Sequence, residues 1–315
     1  MAATLKTVVV TGATGAQGGG VVDALLSAGN RKIRAFTRNT ASSSAQDLAE
    51  RGVEVVRADL SDTASLTKAF SDELFLVTDF FAAGIQYEGE FQQGKNAIDA
   101  AKEAGIGFVV FSCLEDPPAD VKEKLPRLAD GHTITHFESK AAVGRSAQVQ
   151  EYLKKSGLPY TLVTPSLFYE NMIKNTMYQK QPDGSFIFSD NMGIAPHAWH
   201  SVSTIGLTVA AVLEYPSKYA GKTVPAVGQH ISYPTIAEVL SSVTCKTIKY
   251  AQMPDEVFAS LPIPVAGTLG NMSAYLRLFP YYDDLRPLSG RLVSGPTFKE
   301  WAEAHADELK SKVEA

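Results

Sequence analysis

A doubly wound α/β fold with a parallel sheet, followed by a smaller mixed α/β lobe, is predicted by three observations. Short β-branched runs alternate with helix-period segments from the N-terminus to about residue 164, the pattern of βαβ units. The first run passes directly into a glycine loop and then a helix. Beyond Pro165 the rhythm breaks, and prolines at 182, 196, 216, 225 and 234, among others, cut the chain into short pieces.

Strands are expected at Thr7 to Val10, Lys32 to Phe36, Val53 to Val56, Leu74 to Val77, Phe108 to Ser112 and Tyr160 to Val163, each apolar enough for burial on both faces. Six such strands match a Rossmann-type sheet. Helices are expected between them at Gly18 to Ser27, Ala45 to Arg51, Thr63 to Phe70, Gln86 to Ala104 and Phe137 to Ser156. In the second part, Ser203 to Leu213, Thr235 to Ser242 and Phe298 to Glu308 read as helical, and Thr223 to Val227 and Thr247 to Tyr250 as extended. This predicts a dinucleotide-binding domain over 1–164 and a substrate or partner lobe over 165–315, with some later segments returning to the first core. Asp116 to Thr135, rich in proline and charge, reads as a long loop.

Composition excludes more than it selects. The 315 residues suffice for a sizeable core, and 45% hydrophobic with 20% charged residues is ordinary for a soluble protein. A net charge of −5 provides no global attraction to phosphate polymers or anionic lipid, so neither nucleic acid nor membrane is an expected partner. Two cysteines, Cys113 and Cys245, make neither a disulfide framework nor a thiolate metal site. With no secretory signal and no run near the ~20 apolar residues of a membrane span, a cytoplasmic location is expected.

The most informative segment is the glycine loop. Gly12 permits the tight turn, Gly15 lets backbone N–H groups approach a pyrophosphate, and Gly18 allows close packing of helix on strand. Thr14, Ala16 and Gln17 would line the turn. About 20 residues further on, where a fold selective for NAD carries Asp or Glu, stands Arg38. Its guanidinium suits a 2′-phosphate and points to NADP(H), unless it is only a solvated strand end. After the third strand, Asp59 could accept from the adenine amino group and Leu60 could pack on the ring. The alternative for Asp59 is a helix cap or turn.

These segments together resemble the NmrA-like, atypical short-chain dehydrogenase/reductase family, related to the isoflavone reductase and pinoresinol reductase group. The resemblance covers nearly the whole chain. It rests on Thr11-Gly-Ala-Thr-Gly-Ala-Gln-Gly-Gly19, Thr37-Arg38-Asn39, the run from Ala104 to Glu115, and His136-Phe-Glu-Ser-Lys140. Ser156 to Thr161, Pro165 to Asn171 and Ser201 to Gly206 add to it. The resemblance implies that Gly12, Thr14, Gly15, Ala16, Gln17 and Gly18 hold the pyrophosphate and Arg38 the 2′-phosphate. It further implies that Asp59 and Leu60 bound the adenine and that Thr78 sits near the nicotinamide half. It also implies one of two functions: reduction of a hydrophobic small molecule, or NADP(H) sensing by a regulator that binds a protein partner.

The reaction centre departs from the usual Tyr-x-x-x-Lys, because His136 stands four residues before Lys140. In the isoflavone reductase group a lysine in this setting resembles the catalytic acid or base. Lys140 is thus the first candidate for proton transfer or for holding the nicotinamide ribose, with His136 second. Ser112 ends the fifth strand, where open α/β sheets place ligands, and could hydrogen-bond a substrate oxygen. Pro165, Ser166, Phe168 and Asn171 follow the sixth strand, where they would either face the nicotinamide and substrate or pack in the second lobe. His197 and His200 flank Trp199 in an expected loop, but without a Cys or Asp partner no metal site is expected there. Phe279, Tyr281 and Tyr282 could line a substrate pocket or simply pack in the core.

Overall fold

The computed structural model describes residues 5–144, 153, 156–278 and 287–315. The chain divides into two compact units, the first comprising Met1–Asp116, Thr135–Pro165 and Ile205–Pro225, the second Pro117–Ile134, Ser166–Thr204 and Ala226–Ala315.

In the first unit, strands β1 (Thr7–Val10), β2 (Lys32–Thr37), β3 (Glu54–Arg57), β4 (Glu73–Leu76), β5 (Phe108–Ser112) and β6 (Tyr160–Pro165) lie parallel in the order β6-β5-β4-β1-β2-β3. Val8, Val9 and Val10 are fully buried, as expected of a central strand covered on both faces. The chain runs outward through β2 and β3, then returns to the other side of β1 with β4. That reversal opens a crevice at the C-terminal ends of β1 and β4, where such sheets take ligands. A seventh strand, Thr223–Ala226, joins the edge beside β6. The expectation of six strands is corrected on this point.

Helices α1 (Ala16–Ala28), α2 (Ser43–Glu50), α3 (Thr63–Ala69), α4 (Tyr87–Glu103) and, later, α6 (Thr135–Gly144) belong to this unit. Ser42 and Asp62 cap α2 and α3 through side-chain oxygens, which explains why both start where they do. The helix expected over Phe137 to Ser156 begins two residues earlier, and most of its second half lies outside the described residues. At the far end of the sheet, buried Glu73 pairs with Lys6 at 3.1 Å and Arg31 at 2.7 Å. This clamp is remote from the crevice. The helix Val202–Glu214 crosses α1 so closely that a Cβ on Gly206 would fall 2.0 Å from the Gly20 carbonyl oxygen.

The second unit contains two three-stranded sheets. One orders Gln229–Ile231, His197–His200 and Leu167–Phe168; the other orders Ile248–Gln252, Phe186–Asp190 and Gln179–Lys180. His197 to His200 is thus a buried strand and not the expected loop, since hydrogen-bonded neighbours on both sides hold it extended. The long loop after β5 contains a short helix, α5 (Ala119–Lys122), and the Asn271 amide donates to the Pro126 and Thr133 carbonyls at 2.8 and 2.7 Å. The closing helix is two, Phe298–Ala304 and Ala306–Glu314, the first started by a Thr297–Glu300 capping box. Phe279, Tyr281 and Tyr282 lie outside the described residues. Among the described residues, no helix is long and apolar enough to cross a membrane.

Candidate functional site

β1 delivers Thr11 to the crevice, where its hydroxyl donates to the Val77 carbonyl at 3.0 Å and accepts the Val77 N–H at 2.8 Å. Gly12 then turns with φ +62°, a left-handed conformation that favours glycine, and a Cβ there would lie 2.9 Å from Val77 Cγ1. Gly15 donates its N–H to the Gly12 carbonyl at 2.9 Å and forms the N-cap of α1 with no side-chain acceptor. No acidic residue occupies the first turn, so the positive end of this helix is not neutralised from within. Gly18 lies against the loop backbone: a Cβ would fall 2.2 Å from the Gly12 oxygen. This is a cradle that glycines keep open. Thr14 is exposed beside it, and Ala16 and Gln17 begin the helix. The Gln17 side chain is tied across to β5, its carbonyl oxygen accepting from the buried Ser112 hydroxyl at 2.6 Å.

On the β2 side, Arg38 is exposed and its guanidinium stands 3.5 Å from the Asp79 carboxylate, which follows β4. Asp59 accepts the Ser61 N–H at 2.8 Å, the geometry of a turn carboxylate. The Leu60 carbonyl accepts from Asn96 at 2.9 Å, and its side chain packs on the apolar cluster around Phe36 and Phe70. Asp59 thus serves the turn before α3, whereas Leu60 is tied to α4 and to the core.

On the other side of the crevice, Lys140 meets a residue that sequence reasoning missed. Glu90, on the inward face of α4, is fully buried, and its carboxylate accepts from the Lys140 ammonium, from the Ser139 hydroxyl and, at 2.8 Å, from the Thr78 hydroxyl. Lys140 itself keeps only 13% side-chain exposure. The available signal was helical spacing: Glu90 shares an inward stripe with Gly94, Ala97 and Ala101, so an acidic residue there had to find partners. Thr78, expected near the nicotinamide half, spends its hydroxyl on this carboxylate. At the end of β6, the buried Thr164 hydroxyl has no hydrogen-bond partner among the described residues.

Because α6 begins at Thr135, His136 and Lys140 stand four apart on one helix. The His136 imidazole lies between Phe80 and Phe137, at ring distances of 5.8 and 5.0 Å. Burial, aided by the Lys140 ammonium, pulls its pKa down to about 3, so the ring is neutral at pH 7. The unfolded chain takes up a proton near 6.5 that the folded chain refuses until about 3. Stability therefore falls as the pH drops from about 6.5 towards 3, by at most about 1.4 kcal/mol per pH unit. Buried Asp190 of the second unit, raised to about 6, acts in the opposite sense, its contribution being lost as pH rises through 6. A His136→Phe variant isolates the histidine: its urea midpoint should fall less between pH 6.5 and 5 than that of the parent, and parallel curves would refute the assignment.

Phe168 and Asn171 belong to the second unit. Phe168 packs edge-on to His200 at 4.9 Å, and the Asn171 carboxamide accepts from Asn175 at 2.9 Å. Ser166 donates to the Ala226 carbonyl at 3.2 Å. Among the described residues no group of three or more His, Cys, Asp or Glu side chains is arranged to hold a metal ion.

The seven-stranded sheet and the glycine cradle at its crevice define a Rossmann-type α/β protein. The chain belongs to the NmrA-like family, whose model matches residues 4–312. It is 29% identical over 272 residues to the NmrA-like family domain-containing oxidoreductase cpsB of Aspergillus campestris, covering 78% of this chain and 75% of that protein. Among solved structures it superposes on Nmra, a negative transcriptional regulator, with a TM-score of 0.78 at 19% identity, over 98% of both chains. Citrobacter sp. triphenylmethane reductase complexed with NADP(H) gives a TM-score of 0.68 at 22% identity, covering 95% of this chain and 99% of that one.

Proposed function

We propose that this chain is an NADP(H)-dependent oxidoreductase that reduces a hydrophobic small molecule such as a secondary metabolite. The observation that carries this reading is the cradle from Gly12 to Gly18, where a Cβ on Gly18 would collide with backbone beneath an uncapped helix start. The names of cpsB and of triphenylmethane reductase support it. In this reading Gly12, Thr14, Gly15, Ala16, Gln17 and Gly18 receive the pyrophosphate, and Arg38 receives the 2′-phosphate. Asp59, Leu60 and Thr78 bound the rest of the nucleotide. When bound, NADPH supplies the hydride. Lys140, held by Glu90, orients the nicotinamide ribose and donates the proton. Neutral His136 cannot donate as an imidazolium; Ser112 offers its oxygen lone pairs while its proton is committed to Gln17.

Fluorescence titration with NADPH, then turnover across quinones, enones, imines and aldehydes, tests this reading. Absence of NADPH binding would sink it. Arg38→Ser is expected to weaken NADPH by roughly tenfold or more and leave NADH nearly unchanged. Equal losses for both would remove Arg38 from the phosphate site.

A second reading, an NADP(H)-sensing regulator of a protein partner, is favoured by one feature: the Lys140 ammonium is already engaged by a buried carboxylate. The likeness to Nmra accords with it. It predicts that NADP+ and NADPH differ in their effect on capture of a partner, and identical capture with either would remove it.

A further inference from the structure

We infer that Asp79 sets the cofactor preference of this site by competing with a 2′-phosphate for Arg38. The inference rests on the proposed nucleotide site. Arg38 follows β2 and Asp79 follows β4, the two strands that flank β1. Their ion pair therefore arches over the C-terminal end of β1, where the glycine loop begins. A dinucleotide entering along the loop meets this bridge at its adenosine ribose.

Asp79 is a placed charge and not a wandering one. Its Oδ1 accepts the Ala82 N–H at 3.0 Å, and its own N–H donates to the buried Gln93 carboxamide at 2.9 Å. The turn that follows is closed by Ala83 N–H to the Asp79 carbonyl and Ile85 N–H to the Phe80 carbonyl, at 2.9 and 3.0 Å. Ile85 is held at φ +60°, a conformation a β-branched residue adopts only when its surroundings dictate it. With Oδ1 anchored, Oδ2 is left to face Arg38 at 3.5 Å.

Two consequences follow from the charges. A 2′-phosphate must draw Arg38 away from Asp79 and then sit near a fixed carboxylate, which costs affinity. A 2′-hydroxyl requires neither, and finds in Asp79 an acceptor of the type that selects NAD(H) in other sheets of this kind. Asp79 thus narrows the advantage that Arg38 confers on NADP(H).

Calorimetric titration of the full chain with NADPH and NADH tests this directly, without any substrate. Asp79→Asn keeps an acceptor for the Ala82 N–H and removes the charge. It is expected to tighten NADPH by roughly three- to tenfold at low salt, with no gain for NADH. Both side chains are about half exposed or more, so the gain should shrink as salt rises. Combined with Arg38→Gln, the Asp79→Asn gain should largely disappear, because the competition acts through the guanidinium. Equal changes for both dinucleotides, or an undiminished gain in the double variant, would overturn the inference. Failure of the parent chain to bind either dinucleotide would defeat the nucleotide site itself, and this inference with it.

Discussion

Lys140→Met is expected to cost about 3–5 kcal/mol of stability in addition to any loss of function, because it strands the Glu90 carboxylate in the protein interior. Glu90 is fully buried, and Lys140 is its only cationic partner among the hydrogen bonds described; Thr78 and Ser139 supply neutral donors. Neutral donors can satisfy lone pairs but cannot balance a charge taken out of water. The double variant Glu90→Gln, Lys140→Met should recover most of that loss, since an amide beside a thioether carries no uncompensated charge. Urea denaturation of the parent, both single variants and the double gives the coupling directly. A Lys140→Met protein as stable as the parent, or a double variant no better than the single, would contradict the buried pair. The cycle also separates folding from chemistry. A folded double variant that binds NADPH but reduces nothing supports Lys140 as proton donor, whereas one that retains turnover removes it from that role.

The second large effect is expected at Gly18. An alanine there would bring its Cβ within 2.2 Å of the Gly12 oxygen, 2.4 Å of the Gly12 carbonyl carbon and 2.7 Å of the Ala13 nitrogen. All three are backbone atoms, so no side-chain rotation relieves the clash. The start of α1 must move off the loop, at a cost of about 1–3 kcal/mol or more, and the cradle opens. NADPH binding should become undetectable at concentrations that saturate the parent. Gly19→Ala is the matched control: its Cβ would meet only the Ala13 oxygen, at 3.6 Å, an ordinary contact. That substitution should be neutral or slightly stabilising, because alanine favours helix over glycine by about 1 kcal/mol. If both alanines bind NADPH like the parent, the glycine loop is not the nucleotide site.

The contrast between these two predictions reflects what could be read from the chain. The glycine loop was legible because its strand, turn and helix are consecutive, and each follows a local rule. Arg38 was legible for the same reason, as the residue that follows β2. Asp59 had an equally local alternative, and the turn before α3 employs its carboxylate in that way. Glu90 was missed although its stripe on α4 was visible, because nothing nearby in sequence announces that its partner is 50 residues away. The strand from His197 to His200 was mistaken for a loop since its four residues lack β-branched character. Pairing with Leu167–Phe168 and Gln229–Ile231 makes it extended.

The sequence by itself determined the order of the βαβ units, the position of the glycine cradle and the arginine just after β2. Those features depend on periodicity and backbone freedom, which act over a few residues. Tertiary structure alone decided that a seventh strand closes the edge of the sheet, that Lys140 is committed to a buried carboxylate and that Arg38 faces Asp79. Each of these joins residues 41 or more positions apart. The physical reason is that a buried charge or an unpaired strand edge demands a partner but does not specify where along the chain that partner lies.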